Sequence, residues 1–434
     1  MSLTPLFSKP YDSKTLIALN EYVLIREMPH PRRRFITALI LSKLKLHPVV
    51  ALQGARQTGK SFLSREILAP SLSKSQALTF DQDSVRELAE RDVESFLLRH
   101  SDAQPLILDE AQKVPRIFDG IKFMVDQKRI PGRYLILGST EFSKMMSILE
   151  SLTGRMGRAR IYPMTLAEAQ ELEAPIQESK KGKRAPFYLS EKPRITKESL
   201  LKHLEAGGLP AIFSVRNASE RRSLLQDWFE LTVQRDIHTI PKLKLDSNLA
   251  ARILKQLATL SDPTAPEVAR TLRVDLRRIK RHIEALETLF VLQRVDPHPA
   301  STGQPNYFLV DCGLAAHLGA NLQRQLETLF VQEYFAKRSF LAAPAPIESF
   351  SFYRSAQGRR VGFMQEVQTG EWALAQIFDH PPRKKTDFFA LEGASQGVRK
   401  HLGPDTVVRQ IAISPTLHVP NPKAVQVLLW ESLG

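Results

Sequence analysis

The sequence predicts an α/β fold in which a parallel sheet alternates with helices between residues 47 and 165. Two observations predict it. Short apolar runs recur between segments of helical periodicity, a pattern typical of strand–helix–strand units that build a parallel sheet. The first apolar run, residues 49–52, ends in a glycine-rich loop that leads into a helical segment at residues 62–68.

The loop after the first strand reads GARQTGKS and matches the phosphate-loop pattern G-x-x-x-x-G-K-[ST]. Its glycines allow the tight backbone path that directs N–H groups at a phosphate, and the helix N-terminus adds partial positive charge. Lys60 is expected to reach the β- and γ-phosphates of ATP, and the Ser61 hydroxyl to ligate Mg²⁺. The alternative is a chance glycine turn before a helix. The predicted nucleotide-binding residues are Gly54, Ala55, Arg56, Gln57, Thr58, Gly59, Lys60 and Ser61.

Two acids end the third predicted strand, residues 105–110. A buried strand can hold a carboxylate rigidly beside the Mg²⁺ of a neighbouring phosphate loop, which is the Walker B arrangement. We expect Asp109 to bind the Mg²⁺ shell and Glu110 to orient and polarise the attacking water. The alternative is a pair of solvated acids at a strand end.

The other elements of this sheet follow from local patterns. Arg32, Arg33 and Arg34 open a helical run through residue 46, and their simplest interpretation is a solvated face. The second strand is predicted at residues 77–81, followed by a helix at 84–100.

The fourth strand, at residues 134–138, leads into Ser139 and Thr140. These polar groups lie where a γ-phosphate sensor would sit, although Gly-Ser-Thr after a strand is by itself a turn. Residues 160–164 are predicted as the fifth strand.

Beyond the sheet, the Lys-rich segment at residues 177–186 predicts an exposed linker. Helices at 197–206 and 218–232, separated by Gly207-Gly208, are expected to form a lid. From residue 254 the pattern changes to three short helices and a hairpin with strands at 289–295 and 306–310, which resembles a winged helix.

The last of the three helices places basic residues opposite an apolar face. Such a helix either lies in a DNA groove or mediates protein contacts. The basic residues are Arg277, Arg278, Lys280 and Arg281.

Composition narrows the function classes. A chain of 434 residues is expected to hold two or three domains. The net charge of +15 and the pI near 9.8 indicate either a polyanionic partner such as nucleic acid or solubility alone. Cys312 is the single cysteine, so we expect a protein of the reducing cytoplasm without disulfides. Since apolar runs fall short of the roughly twenty residues that span a bilayer, no membrane segment is expected.

Taken together, these motifs resemble bacterial and archaeal AAA+ ATPases whose P-loop domain precedes a poorly characterised C-terminal region. The resemblance is carried by GARQTGKS, LILDEAQ, GST, SLTGR, GGLP and RDI at residues 54–61, 106–112, 138–140, 151–155, 207–210 and 235–237.

The resemblance implies a sheet in the order 5-1-4-3-2. It also implies that Arg155 is an arginine finger acting on the ATP of a neighbouring subunit in a homo-oligomer, with Arg158 as the second candidate. Pro210 is implied to lie near the nucleotide. The alternatives are a surface arginine and a loop proline.

The last hundred or so residues resemble this family's endonuclease-like domain. Glu327 lies where such folds place a first carboxylate, although a solvated acid on a helix face is the simpler interpretation. The family's Glu-Val-Asp-Phe strand reads RVGF at residues 360–363, so Gly362 replaces a metal-binding aspartate. Glu366 remains a shifted candidate ligand, and nuclease activity is not expected.

We therefore expect an AAA+ P-loop domain at 1–175, a helical lid at 187–245, a winged helix at 246–318 and a degenerate α+β endonuclease-like domain at 319–434. The expected function is Mg²⁺-dependent ATP hydrolysis by a protein associated with nucleic acid. One alternative is a slow-turnover switch or scaffold that binds ATP or ADP and acts through protein contacts. A second is a nucleic-acid enzyme with its own cleavage chemistry.

Overall fold

The computed structural model describes most of the chain after Pro31. The described residues are 32–142, 152, 154–173, 185–190, 192–240, 244–301, 303–340, 350–355, 360–419 and 424–434. The predicted linker at 177–186 lies mostly outside this set, as do Ser151 and Thr153 of the SLTGR run.

The first sheet carries the phosphate loop. Its five strands in the described residues are parallel and follow the order β2-β3-β4-β1-β5. Viewed from the other edge this is the predicted order 5-1-4-3-2, which is confirmed. The strands are β1 (Val49–Gln53), β2 (Gln76–Thr79), β3 (Leu106–Asp109), β4 (Tyr134–Gly138) and β5 (Met156–Arg160).

The carboxyl ends of these strands meet at one edge of the sheet. All residues of β1, β3 and β4 are buried, as expected for central parallel strands covered on both faces. Because the strands are parallel, the phosphate loop after β1 and the acids at the end of β3 lie at that same edge, on either side of β4.

The fifth strand begins earlier than predicted, at Met156 instead of residue 160. Strand β5 lies at the sheet edge, and Arg158 is exposed while its neighbours in the strand are at least half-buried. An edge strand with charged residues lacks the apolar run by which buried strands are recognised. The prediction therefore fell on the apolar segment that follows the strand.

Helices flank this sheet on both faces. The predicted helix at 84–100 is two helices, because Asp92 has extended backbone and its side chain accepts from Ser95 N to cap the second. The helix after the phosphate loop contains a π-type segment, Leu63–Leu68, just before Pro70. The helices are Ile36–Leu46, Lys60–Phe62 with Leu63–Leu68 and Ala69–Ser71, Asp83–Arg91, Val93–Arg99, Ile117–Gln127 and Leu166–Ala169.

A helical region follows. Lys197–Ala206 ends at the left-handed Gly207, Pro210–Phe213 is a single turn, and Ala218–Gln234, called the Trp228 helix below, is capped by Asn217. Next come Ser247–Thr259, Ala265–Leu272 and Leu276–Thr288, the last called the basic helix.

A two-stranded antiparallel sheet, β6 (Leu292–Val295) and β7 (Asn306–Leu309), packs beside these three helices. The loop between its strands forms backbone hydrogen bonds with the C-terminal sheet, which is described below. Phe352 N donates to Asp296 O at 3.0 Å, and His298 N donates to Phe352 O at 2.8 Å. The hairpin loop is therefore held along an edge strand of that sheet.

The C-terminal part packs a mixed sheet against the helix Leu322–Ser339, with Cys312–His317 before it and Phe389–Leu402 between strands. In the part of this region that the structure describes, the order is β12-β11-β10-β9-β8. The strands are β8 (Phe350–Arg354), β9 (Arg360–Gln368), β10 (Glu371–Ile377), β11 (Val407–Ser414) and β12 (Val425–Leu429).

Glu327 is not the solvated acid expected from the sequence. Its side chain is 9% exposed and pairs with Arg324 at 2.9 Å. The partner lies one helical turn away, and the surrounding fold covers both groups. Gly362 lies in β9, where a side chain would meet the backbone of Ala375.

No helix among the described residues combines the length and the apolar character needed to cross a membrane.

Candidate nucleotide-binding site

The phosphate loop contains backbone conformations that residues other than glycine rarely adopt. Gln57 and Gly59 have φ of 62° and 91°, both left-handed. A Cβ on Gly54 would lie 2.2 Å from Ile161 O, so a side chain there would collide with the segment after β5. Left-handed residues next to right-handed ones build the concave run of N–H groups that binds anions.

Lys60 points into the loop. The residue is 5% exposed, and Nζ donates to Gly54 O and Ala55 O, each at 2.8 Å. Burial lowers the pKa of Lys60 to about 8, although the nearby carboxylates of Glu110 and Asp109 act to raise it. A cation held by carbonyls is ready to exchange them for phosphate oxygens.

Donors from outside the loop bind its other carbonyls. Arg34 Nη1 donates to Thr58 O at 2.6 Å, and Trp228 Nε1 donates to Arg56 O at 3.2 Å. Arg34 is 6% exposed, so interpreting it as part of a solvated face was wrong. The fold can bury this charge because residues far along the chain supply hydrogen-bond acceptors for it.

The Arg56 side chain leaves the loop and pairs with Asp236. Nε and Nη2 donate to the two carboxylate oxygens at 2.7 and 2.9 Å. This fork-to-fork pairing fixes geometry as well as charge. It joins the phosphate loop to the segment just after the Trp228 helix.

The two acids at the end of β3, Asp109 in the strand and Glu110 just after it, have different surroundings. Asp109 is buried, and its carboxylate accepts from Glu110 N at 3.0 Å. Glu110 has left-handed backbone, with φ of 55°. Its Oε2 accepts from Ser139 Oγ at 3.1 Å and also from Gln112 Nε2. The carboxylate of Glu110 is therefore oriented by two neutral donors, one on each of two adjacent strand ends.

The donor set suits Mg²⁺ beside a nucleotide. Magnesium in such sites is bound by one or two carboxylates and by phosphates, and it keeps several waters. Ser61, half-buried at the helix start, and Asp109 are the residues that would hold it. Across the described residues there is no group of three or more His, Cys, Asp or Glu side chains suited to a metal ion.

Pro210 packs against the loop. A Cβ on Gly59 would lie 3.6 Å from Pro210 Cγ. The preceding glycines leave no room for side chains, since a Cβ on Gly207 or Gly208 would meet Asp311 Oδ1 at 2.2 Å or Met164 O at 2.3 Å. Asp311 Oδ2 accepts from Gly208 N at 2.7 Å. A buried aspartate thus anchors the turn that carries Pro210.

Arg155 lies at the opposite edge of the sheet. It precedes β5 and pairs with Asp126 at 2.5 and 2.9 Å, near the amino ends of β1 and β4. Arg158 is exposed on the edge strand. The structure brings neither arginine to the phosphate loop of its own chain.

The C-terminal end of the basic helix contacts the segment after β4. Its four basic side chains are exposed, and Arg278 pairs with Asp246 at 2.7 Å. At the C-terminal end of the helix, Thr288 O accepts from Glu141 N at 2.8 Å. Glu141 follows Ser139 and Thr140, so one hydrogen bond joins the sensor segment to this helix.

Reasoning from the sequence missed Arg34, Gln112, Trp228 and Asp311 as site residues. Gln112 carried a signal, since it lies two residues after Glu110 in the LILDEAQ run. For the other three no local pattern distinguishes them, because their partners lie 24, 172 and 103 residues away.

Comparison with known protein families gives two matches. Residues 46–170 match the family model described as "AAA domain". Residues 197–326 match one described as "Domain of unknown function (DUF8612)". The match, the sheet order and the phosphate loop together make the first segment a P-loop domain of the AAA+ ATPase class, which is a nucleotide-binding fold.

Particular proteins resemble longer parts of the chain. Two mycobacterial proteins, "Uncharacterized protein Rv2008c" of Mycobacterium tuberculosis and "Uncharacterized protein Mb2031c" of Mycobacterium bovis, are 26% identical over 295 residues. The match covers 66% of this chain and 59% of the length of each relative.

Solved structures were found as well. The Walker-type ATPase PABY2304 of Pyrococcus abyssi has a TM-score of 0.41 at 14% identity, covering 65% of this chain and 94% of that one. AMPPCP-bound DnaA from Aquifex aeolicus has a TM-score of 0.27 at 13% identity, covering 58% and 85%.

Proposed function

We propose that this protein binds ATP with Mg²⁺ and hydrolyses it. The observation that carries the proposal is that buried Lys60, in the phosphate loop, and Glu110, after β3, lie at the same carboxyl end of the sheet. There Ser139 Oγ donates to Glu110 Oε2 at 3.1 Å. A cation for the phosphates and an oriented carboxylate for water are the two groups that phosphoryl transfer to water requires.

The residues divide the work. Loop N–H groups and Lys60 bind the β- and γ-phosphates, and Glu110 accepts hydrogen bonding from the attacking water. Ser139 and Gln112 hold the Glu110 carboxylate in place. Ser139, which follows β4, is also the proposed γ-phosphate sensor, a role in which its hydroxyl would turn from Glu110 to the phosphate. Ser61 and Asp109 would hold Mg²⁺, which would neutralise charge on the phosphates.

Two variants test this division. We expect Lys60→Ala to weaken ATP binding, and Glu110→Gln to keep ATP affinity while hydrolysis stops. Nucleotide binding is measured by calorimetry and turnover by phosphate release, with the exposed Glu87→Gln on helix Asp83–Arg91 as the control. Unchanged turnover in Glu110→Gln rejects the assignment.

We infer further that nucleic acid is the partner of this ATPase and that the basic helix, in a winged-helix arrangement, is its contact. The four exposed basic side chains of this helix and the net charge of +15 support the inference. The bond from Glu141 N to Thr288 O, at 2.8 Å, would couple the helix to the sensor segment. Nucleic acid on the helix would then bias the β4 end, and turnover would respond.

A charge-matched pair of triple variants tests the contact. Arg277, Lys280 and Arg281 are changed to Gln, which leaves the pair of Arg278 with Asp246 in place. The control changes the exposed Arg383, Lys384 and Lys385 of the C-terminal part. Each lost phosphate contact lowers the slope of log affinity against log salt by about 0.9. Equal slopes in both variants reject the basic helix as the DNA surface.

The second candidate is a slow switch that acts through protein contacts. The bidentate pair of Arg56 with Asp236 favours it, because nucleotide in the loop would move this joint with the helical region. Bound ADP after purification, with little turnover and no response to DNA, would select this function.

A further inference from the structure

We propose that Arg34 and Trp228 are positioning residues that hold the phosphate loop in its anion-binding form by binding the outward carbonyls of Thr58 and Arg56. The proposal rests on the nucleotide site proposed above and adds two residues that touch no nucleotide. Arg34 comes from the segment before the first helix, and Trp228 from the helical region.

The geometry of the peptide unit explains how a donor outside the loop can act on its inside. In a trans peptide the C=O of one residue and the N–H of the next point in opposite directions. Thr58 C=O shares its peptide with Gly59 N–H, and Arg56 C=O shares its peptide with Gln57 N–H. Fixing each carbonyl outward therefore aims the matching N–H inward.

The two residues whose N–H groups are aimed inward also have unusual backbone conformations. Gln57 and Gly59 are the left-handed residues of the loop, with φ of 62° and 91°. Left-handed backbone is strained for glutamine and persists where surrounding contacts impose it. The hydrogen bonds to the carbonyls just before them, at 3.2 Å from Trp228 and 2.6 Å from Arg34, supply such contacts.

Arg34 is itself fixed before any nucleotide arrives. Nη2 donates to Tyr162 O at 2.6 Å, and Nε donates to Glu168 Oε1 at 3.2 Å. Glu168 is held in turn by a capping box with Thr165 at the start of helix Leu166–Ala169. The guanidinium is therefore aimed by the fold and has little freedom left to lose.

Trp228 performs the same task from the other side. Its side chain is buried in the helical region, and the indole N–H reaches Arg56 O at 3.2 Å. The loop is thus held by the segment before the first helix through Arg34 and by the helical region through Trp228. Correct loop geometry depends on both regions.

The first test compares neighbouring arginines. Arg34→Gln is expected to weaken Mg²⁺-ADP and Mg²⁺-ATP about 10-fold each, the size of one net hydrogen bond of about 1.4 kcal/mol. Turnover at saturating ATP should change less than affinity, because Glu110 and Ser139 are untouched. Arg33→Gln, on the exposed neighbour, should match wild type, and Arg34→Lys should recover part of the affinity.

The second test compares two tryptophans that donate to backbone carbonyls. Trp228→Phe should weaken ADP about 10-fold, again one hydrogen bond. Trp430→Phe loses a similar bond, to Phe378 O at 2.8 Å, but lies in the C-terminal part and should bind ADP like wild type.

The outcomes separate the two proposals. Equal ADP affinity in wild type, Arg34→Gln and Trp228→Phe overturns the positioning role, as does an equal loss in Trp228→Phe and Trp430→Phe. A wild-type protein that binds ADP but does not hydrolyse ATP rejects the proposed hydrolysis and leaves the binding comparison intact. If Arg34→Gln fails to fold, as judged by thermal unfolding, Arg34→Lys and Trp228→Phe decide.

Discussion

At the scale of single residues, the site is a set of charges whose surroundings decide their chemistry. Lys60 is buried against two carbonyls, while Glu110 has two neutral donors and a left-handed backbone. Burial without a full counter-charge disfavours the protonated form of Lys60. The charged form of Lys60 is therefore destabilised in the free protein. A phosphate that relieves this destabilisation gains affinity from it.

This state of Lys60 predicts proton uptake on nucleotide binding. Burial lowers the pKa of Lys60 to about 8, and phosphate oxygens in place of carbonyls should raise it again. Near pH 8 about half of the free protein should lack this proton, so binding takes up about half a proton. ATP affinity should fall as pH rises above 8.

Calorimetry in buffers of different ionisation enthalpy measures this uptake. Lys60→Arg is the control, because an arginine stays protonated throughout and should abolish the uptake. Binding enthalpy that does not depend on the buffer at pH 8 would contradict the shifted pKa of Lys60.

At the scale of elements, the turn from Gly207 to Pro210 joins three parts of the chain. Gly208 N donates to the Asp311 carboxylate, and Gly208 O accepts from Met164 N. Leu209 O accepts from N–H groups of the helical turn Pro210–Phe213. Burial raises the pKa of Asp311, while hydrogen bonds from backbone N–H groups act against that rise. Glycine is required at both positions, because Asp311 occupies the space of a side chain on Gly207 and Met164 O that of a side chain on Gly208.

We expect Gly208→Ala to weaken nucleotide binding without touching a phosphate-loop residue. Its Cβ would lie 2.3 Å from Met164 O, which is backbone and cannot swing away. The turn must shift, and Pro210 leaves Gly59. Gly393→Ala, in helix Phe389–Leu402 with nothing within 4 Å of its Cβ, is the control and should bind ADP normally. Equal ADP affinity in both variants would show that the turn does not support the loop.

At the scale of the whole molecule, the candidate arginine finger and the phosphate loop lie at opposite ends of the strands of the first sheet. Arg155 is at the amino edge of the first sheet and the phosphate loop at the carboxyl edge, so the arginine can reach an ATP only in a neighbouring copy. The hairpin loop between β6 and β7 is held by β8, whereas the four basic side chains of the basic helix are exposed.

An arginine finger predicts a loss of turnover without a loss of ATP affinity. Arg155→Ala should lower the rate by roughly 10³ to 10⁵ if the residue acts on a neighbour's ATP. Asp126→Ala breaks the same exposed ion pair and keeps the arginine, and such pairs contribute about 0 to 1 kcal/mol. Equal turnover in the two variants would leave Arg158 as the candidate. Activity independent of concentration in a monomeric sample would reject a finger from a neighbouring subunit.

We also expect that the C-terminal part does not cut nucleic acid. Two-metal cleavage needs carboxylates that converge on ions about 4 Å apart. Glu327 is instead paired with Arg324 at 2.9 Å, and Gly362 offers no ligand. Single- and double-stranded DNA should stay intact in Mg²⁺ or Mn²⁺. Cleavage that is lost in Glu327→Ala would overturn this expectation, and cleavage lost in Glu366→Ala would identify the shifted ligand.

The sequence by itself determined those parts whose chemistry lies within one short segment. The phosphate loop, the acids after β3 and the faces of the basic helix each follow from consecutive residues, because local backbone geometry sets where they point. The sheet order came from resemblance to a family, and the start of β5 was wrong because an edge strand lacks an apolar run.

The tertiary structure decided everything that depends on partners far along the chain. Arg34 looked like one of three solvated arginines until Thr58, Tyr162 and Glu168 surrounded it. Trp228 and Asp236 reach the loop across 172 and 180 residues. Burial and hydrogen bonding are properties of the folded neighbourhood, and no pattern within a segment records which distant carbonyl a buried donor will meet.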